Sequence, residues 1–163
     1  MTLSEATHFI EEGAASIQLA RSRPHFDFDV IVIGGGQAGL SAGYHLSHTG
    51  ARFVILEANE RIGDSWRKRW DSLRLFTPAK FCSLDGMPFP APRNYFPTKD
   101  EMADYLEAYA RRFNLPVRTG VRVQRLFKRG ARYVVAADGV GLEAAQVIVA
   151  MAKDHHPEIP AFA

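Results

Sequence analysis

The sequence predicts an α/β fold: a parallel sheet flanked by helices, with a small β-meander added to it. Three observations lead there. Asp29-Val-Ile-Val-Ile33 is a short continuous apolar run, the pattern of a strand buried on both faces of a parallel sheet. A second run, Arg52-Phe-Val-Ile-Leu56, follows after a stretch of helical periodicity, so the order is strand, helix, strand. Further along, residues 117–149 alternate strand-like runs with turn signals at Lys128-Arg-Gly130 and Asp138-Gly-Val-Gly141, which predicts a meander set beside the main sheet.

Composition agrees with one well-cored domain: 163 residues, 47% of them hydrophobic. A chain of this size buries roughly 70% of the surface its unfolded form exposes. The charge balance is close, 20 Lys+Arg against 18 Asp+Glu, and the basic residues are scattered from Arg21 to Lys153. That is no polyanion footprint, so no nucleic-acid partner is expected. The single cysteine, Cys82, excludes an internal disulfide, a CxxC redox pair and a cysteine-rich zinc site.

In chain order, residues 1–26 come first as a helical extension to a domain spanning 27–163. Phe9, Ile10, Ile17 and Leu19 suit a short amphipathic helix ending before Pro24. Glu5, Glu11 and Glu12 stand where a secretory signal would be basic and then apolar. No run approaches the roughly 20 apolar residues needed to cross a bilayer, so a cytoplasmic protein without a membrane partner is expected.

Gly34-x-Gly36-x-x-Gly39 follows the first strand at once. Gln37 to His48 then read as a helix, with Leu40, Tyr44 and Leu46 on one face and Gly50 as its stop. In a Rossmann-like unit the three glycines play different parts. Gly34 makes the tight exit from the strand, Gly36 lets backbone approach a pyrophosphate, and Gly39 lets helix and sheet pack closely. The helix opening near Gln37 points unpaired N–H groups and a positive dipole end at the phosphates. Glu57 closes the second strand 18 residues after Gly39, where a carboxylate accepts the hydroxyl hydrogens of an adenosine ribose. An acid there disfavours a 2′-phosphate, leaving FAD or NAD over NADP at this site. Gly139-Val-Gly141-Leu-Glu-Ala144 matches the same pattern formally, but the residues after it read as a strand, and Asp138-Gly139 is a hairpin turn.

Thr98-Lys-Asp-Glu101 is a capping box that opens a structural helix over 99–113, with Met102, Tyr105, Leu106 and Tyr109 as its core face. Prolines 78, 88, 90, 92 and 97 predict an extended surface connector. Arg67, Lys68, Arg69 and Arg74 read as a solvated face, with contact to cofactor phosphates as the sharper option. His155-His156 lacks metal-ligand spacing, and Cys82 has no neighbouring base, so neither a metal nor a nucleophile is expected.

The runs GGGQAGLSAGYHL, ILEANERIGDSW and VIVAMAKDHHPEIP, with Arg61-Ile-Gly63-Asp-Ser-Trp66 and Leu75-Phe-Thr77-Pro78, together resemble the flavin-containing monooxygenase superfamily over about residues 27–163. The similarity points to its FAD- and NADPH-dependent N-hydroxylases, Baeyer–Villiger-type oxygenases and plant YUCCA-like enzymes. The resemblance implies an FAD-binding Rossmann-like domain. Gly34, Gly36, Gln37, Ala38 and Gly39 would then form the pyrophosphate loop, Glu57 and Ala58 the ribose end, and Val123 the strand position whose backbone meets the adenine. Gly63 and Trp66 match a G-x-x-W segment running toward the flavin, and Leu75 to Pro78, with Leu75 and Thr77 as the matched positions, the L-x-TP lining of its ring pocket. From the residues alone, Trp66 and Trp70 are equally a packed helix-face pair. The meander would cover the adenine end of FAD.

Two departures stand out. Relatives carry glycine where this sequence has Ala152, which predicts a poorer close approach of backbone to FAD there and leaves the pyrophosphate loop untouched. The sequence also stops where the resembled enzymes begin their nicotinamide-binding domain, so NADPH has no site in it. The resemblance therefore implies the FAD-binding part of an NAD(P)H-dependent oxidoreductase in which O₂ supplies one oxygen atom to a soft nucleophile or carbonyl. A non-catalytic dinucleotide module completed by a second chain is the alternative. A relative of the flavin disulfide reductases is a third reading, opposed by the absence of CxxC and by the Gly63-x-x-Trp66 segment.

Overall fold

The apolar runs form the centre of one six-stranded mixed sheet. The computed structural model describes residues 26–152 together with Phe162. The elements are β1 (Phe28–Ile33), α1 (Gln37–Ser47), β2 (Phe53–Leu56), α2 (Asp64–Arg67), a 3₁₀ turn (Ala79–Phe81) and α3 (Lys99–Arg112), then β3 (Val117–Arg118), β4 (Val123–Arg129), β5 (Arg132–Ala137) and β6 (Val140–Val149). The strand order is β3-β2-β1-β6-β5-β4. β3, β2, β1 and β6 run parallel, while β5 and β4 continue antiparallel. The expected helix before Pro24 and the His155-His156 pair lie outside the described residues.

Alternation along β1 explains why the run had to be apolar throughout. Val30 and Val32 face one core with Leu40 of α1 and with Met102, Tyr105, Leu106 and Tyr109 of α3. Ile31 and Ile33 face a second core with Val54, Leu56, Val135 and Ala144. Helices cover one face and the meander covers the other.

One expectation about residues 117–149 is corrected. β3 is not part of the meander: it pairs with β2 and forms the parallel edge. The meander lies beside the parallel strands, as expected, and is hydrogen-bonded to them through β6. β6 pairs with β5 from Val140 to Ala144 and with β1 from Ala144 to Val149, changing partner at Ala144. A strand of ten residues is long enough to serve both neighbours. The hairpin at Asp138-Gly139 is as expected, both residues having positive φ (49° and 80°).

The α3 capping box forms as read: the Thr98 side chain accepts from the Glu101 N–H, and the Glu101 carboxylate accepts from the Thr98 N–H at 2.7 Å. Backbone donation from Thr98 is the first cause that holds the Glu101 carboxyl below its ordinary value. The proline-rich stretch is more than a surface connector. Ala79, Cys82, Phe89 and Pro97 are buried in it, and Tyr105 and Tyr109 of α3 donate to its Met87 and Asp85 carbonyls.

Candidate dinucleotide site

The glycine loop joins the carboxyl end of β1 to α1. Gly34 has φ +108°, and a Cβ built there would stand 2.7 Å from the Ala150 carbonyl oxygen at the end of β6. A Cβ on Gly39 would lie 1.9 Å from the Gly34 carbonyl oxygen, so the helix packs on the loop backbone itself. Gly36 differs from both. It is the N-cap of α1 in an extended conformation (φ −80°, ψ −169°), no side chain caps the helix, and a Cβ there would meet nothing within 4 Å. Gln37 and Ala38, exposed in the first turn, border the same open space. A helix N-terminus with uncapped N–H groups beneath a cradle that a Cβ would fill fits a pyrophosphate.

Glu57 stands beside this loop at the end of β2. Its Oε2 accepts from the Gly35 N–H at 2.7 Å, and its Oε1 accepts from the Asn59 N–H at 2.8 Å and Asn59 Nδ2 at 2.7 Å. Lys68 donates to Asn59 Oδ1 at 2.7 Å. The half-buried carboxylate therefore shapes the glycine loop. Three of its roughly four acceptor positions are engaged by protein donors. Ala58 follows it, half-buried, and the Val121 N–H donates to the Glu57 carbonyl, which sets the path into Val123 at the start of β4.

A cavity of about 220 Å³ brings together four of the expected residues, Gln37, Trp66, Leu75 and Thr77. Phe76, inside the expected Leu75–Pro78 stretch, lines it too, while Leu73, Arg74, Phe81 and Cys82 complete the lining without having been indicated by the sequence. Cys82 is buried, and its thiol lies 3.5 Å from Thr77 Oγ1 and from the Thr77 carbonyl oxygen. Spacing held the only clue, since a 3₁₀ turn directly after Thr77-Pro78 returns position 82 to position 77. Gly63 and Val123 lie outside this lining. Gly63 has φ +88° and packs on α3, where a Cβ would come 2.6 Å from the Ala103 carbonyl oxygen. Ala152 is exposed beyond β6, and the residue that meets Gly34 is Ala150.

The two tryptophans do not form a helix-face pair. α2 has four residues and ends before Trp70, which is 58% exposed, whereas Trp66 packs against the helical core. The basic residues are not one solvated face either. Arg67 is half-buried and pairs with Asp64, Asp104 and Glu107. Burial alone would lower its pKa, and these carboxylates more than offset that and raise it. Among the described residues no helix is long and apolar enough to cross a membrane, and no cluster of three or more His, Cys, Asp or Glu is placed to hold a metal.

A parallel-stranded sheet with a glycine loop at the carboxyl end of its first strand and an acid at the end of its second defines a dinucleotide-binding α/β domain. The chain belongs to the pyridine nucleotide-disulphide oxidoreductase family, whose model matches residues 31–163. It is 46% identical over 135 residues to an uncharacterized CzcO-like oxidoreductase of Geobacillus kaustophilus, covering 83% of this chain and 39% of that protein. It is 32% identical over 136 residues to the rice indole-3-pyruvate monooxygenase YUCCA1, covering 81% of this chain and 34% of the enzyme. Among solved structures, a flavin-containing monooxygenase from Stenotrophomonas maltophilia superposes with a TM-score of 0.72 at 45% identity, over 76% of this chain and 38% of that one. The bacillithiol disulfide reductase of Staphylococcus aureus shares the fold at 20% identity and a TM-score of 0.70. The chain thus spans between about a third and two-fifths of the length of these relatives. The third reading of the sequence is right about the broad family, but with one cysteine the chain holds no pair for disulfide chemistry.

Proposed function

We propose that this chain is the FAD-binding part of an NAD(P)H-dependent flavoprotein monooxygenase. One observation carries the reading: the open cradle at Gly36, the Glu57 carboxylate and the cavity beside Trp66 all adjoin the same glycine-loop end of α1, with Gln37 lining the cavity. The relatives at 45% and 46% identity, a flavin-containing monooxygenase and an oxidoreductase, support it. Bound FAD would supply the redox and oxygen chemistry. The residues of this chain bind it and keep water away. Gly34, Gly36 and Gly39 with the N–H groups of Gln37 and Ala38 hold the pyrophosphate; Glu57, Ala58 and Val123 serve the adenosine end. Gly63 turns the chain so that Trp66, with Leu75 and Thr77, walls the ring end.

Residues that meet NADPH and substrate are assigned to the portion of such a protein beyond the two-fifths of the relatives matched here. The reading places the protein in the cytoplasm, in keeping with Cys82 as a buried free thiol. The test is a visible spectrum of the purified protein, acid release and identification of bound flavin, and FAD titration of the apoprotein. Flavin absorbance with saturable FAD binding that Gly36→Val abolishes is the expected result. A colourless protein without FAD affinity, as the isolated chain and as part of any longer protein carrying it, would overturn the reading.

A further inference from the structure

Lys99 is the charged residue buried among the described residues, 7% exposed, and it stands where a cation is poorly placed. It is the first residue of α3, beside the helix end whose dipole disfavours positive charge. What it holds accounts for its position. The Lys99 backbone N–H donates to the Leu73 carbonyl at 3.2 Å, and Nζ donates to the Arg67 carbonyl at 2.9 Å. One residue closes both ends of the loop from Arg67 to Leu73. The cavity walls begin at those two ends, with Trp66 directly before Arg67 and with Leu73, Arg74 and Leu75 at the other end. Two carboxylates complete the surroundings of the ammonium, Asp100 Oδ1 at 3.4 Å and Asp71 Oδ1 at 3.8 Å. α2, with four residues and none of them buried, is too short to fix Trp66 by its own helical hydrogen bonds.

Resting on the flavin reading above, we propose that Lys99 is a positioning residue for the ring end of the site. It does not line the cavity; it acts through the 67–73 loop, setting the separation between the Trp66 wall and the Leu73–Leu75 wall. Its backbone N–H fixes one end whatever the side chain is. Nζ fixes the other, so the side chain decides where Trp66 stands.

The experiment compares Lys99→Met, which keeps the stem and the backbone N–H, with Lys99→Arg, which keeps a charged donor. Both are made in a Trp70→Phe background, leaving Trp66 as the sole indole. Trp66 emission of the apoprotein, FAD affinity and ADP affinity are measured on variants whose circular dichroism matches the parent. The Met variant should shift Trp66 emission to the red and weaken FAD about tenfold. ADP, which reaches only the pyrophosphate loop and Glu57, should keep its affinity within about twofold, and Lys99→Arg should restore both the Trp66 emission and the FAD affinity. Should Lys99→Met fail to fold, Lys99→Gln gives the same comparison.

Unchanged emission and FAD affinity in a folded variant would overturn the inference and leave the flavin reading standing. Equal losses for FAD and ADP would overturn it as well, by making Lys99 a general support of the fold. Parent protein that binds ADP but not FAD would overturn the flavin reading and this inference together.

Discussion

Gly36 and Gly39 lie three residues apart in one loop, and alanine at each should act by a different physical route. At Gly39 the new methyl would stand 1.9 Å from the Gly34 carbonyl oxygen, a backbone atom that cannot swing aside. An ordinary C···O contact is about 3.3 Å, so α1 and the loop must separate by roughly an ångström or more. That opens the packing of Leu40, which is fully buried. Overpacking of this kind costs about 1–3 kcal/mol, and a backbone partner puts the expected loss at the upper end, about 3 kcal/mol. At Gly36 the methyl meets nothing within 4 Å, and the backbone conformation (φ −80°) is open to any residue. The remaining stability cost is that of alanine at an N-cap, about 1 kcal/mol or less. The same methyl fills the cradle assigned to the pyrophosphate, so FAD should weaken by about a hundredfold, or about 2.7 kcal/mol. Urea denaturation of the apoprotein and FAD titration separate the two effects. Gly36→Ala that retains parental FAD affinity, or unfolds as readily as Gly39→Ala, would refute the argument.

Glu57→Ala should weaken FAD by about 1.5–3 kcal/mol and lower apoprotein stability by about 1–2 kcal/mol, because the carboxylate also accepts from Gly35 and Asn59; titration and urea melts check both. Tyr109 is pushed up to about 12, first by burial and then by Tyr105, Tyr44 and Asp85, so its stabilisation is full below its ordinary value of 10.0 and is lost as pH rises toward 12. Tyr109→Phe should remove that alkaline loss in a pH series of urea melts, while costing about 1 kcal/mol at neutral pH for the Asp85 carbonyl left without its donor. Glu101, held low by Thr98, behaves oppositely: the unfolded state binds its proton first, so stability falls as pH drops through the carboxylate range. Glu101→Gln should flatten that acid limb, and Thr98→Ala should cost about 1 kcal/mol at neutral pH in the same melts.

What was legible in the sequence were features whose cause is local. β1, the glycine loop, α1 and β2 follow from an apolar run, three glycines and a helical face within about 30 residues. The α3 capping box is complete within four residues, Thr98 to Glu101. Features that depend on distant neighbours were not legible. Arg67 and Lys99 look like ordinary surface cations in sequence; the first is paired with carboxylates about 40 residues away and the second holds a carbonyl 32 residues back. β6 reads as the end of a meander because nothing in Val140–Val149 tells that its second half pairs with β1. The cavity lining was half visible, since Trp66, Leu75 and Thr77 belong to recognisable segments, while Phe81 and Cys82 arrive through a turn that the prolines made look like a connector.

The partner change in β6 also bears on how the loop glycines are understood. Because the second half of β6 returns parallel to β1, Ala150 donates to the Ile33 carbonyl and its own carbonyl comes to lie against Gly34. Gly34 is thereby required by the neighbouring strand, Gly39 by the Gly34 carbonyl, and Gly35 by the Glu57 side chain, whose Cβ would stand 2.9 Å from any Cβ placed there. Each of these three has a reason inside the protein. Gly36 has none: the space above it is open and its dihedrals suit any side chain. The packing of the chain leaves its glycine without a structural cause, so the cause is sought in a ligand that must come within backbone distance of the helix N-terminus. An anion held by the first N–H groups of α1 meets that condition.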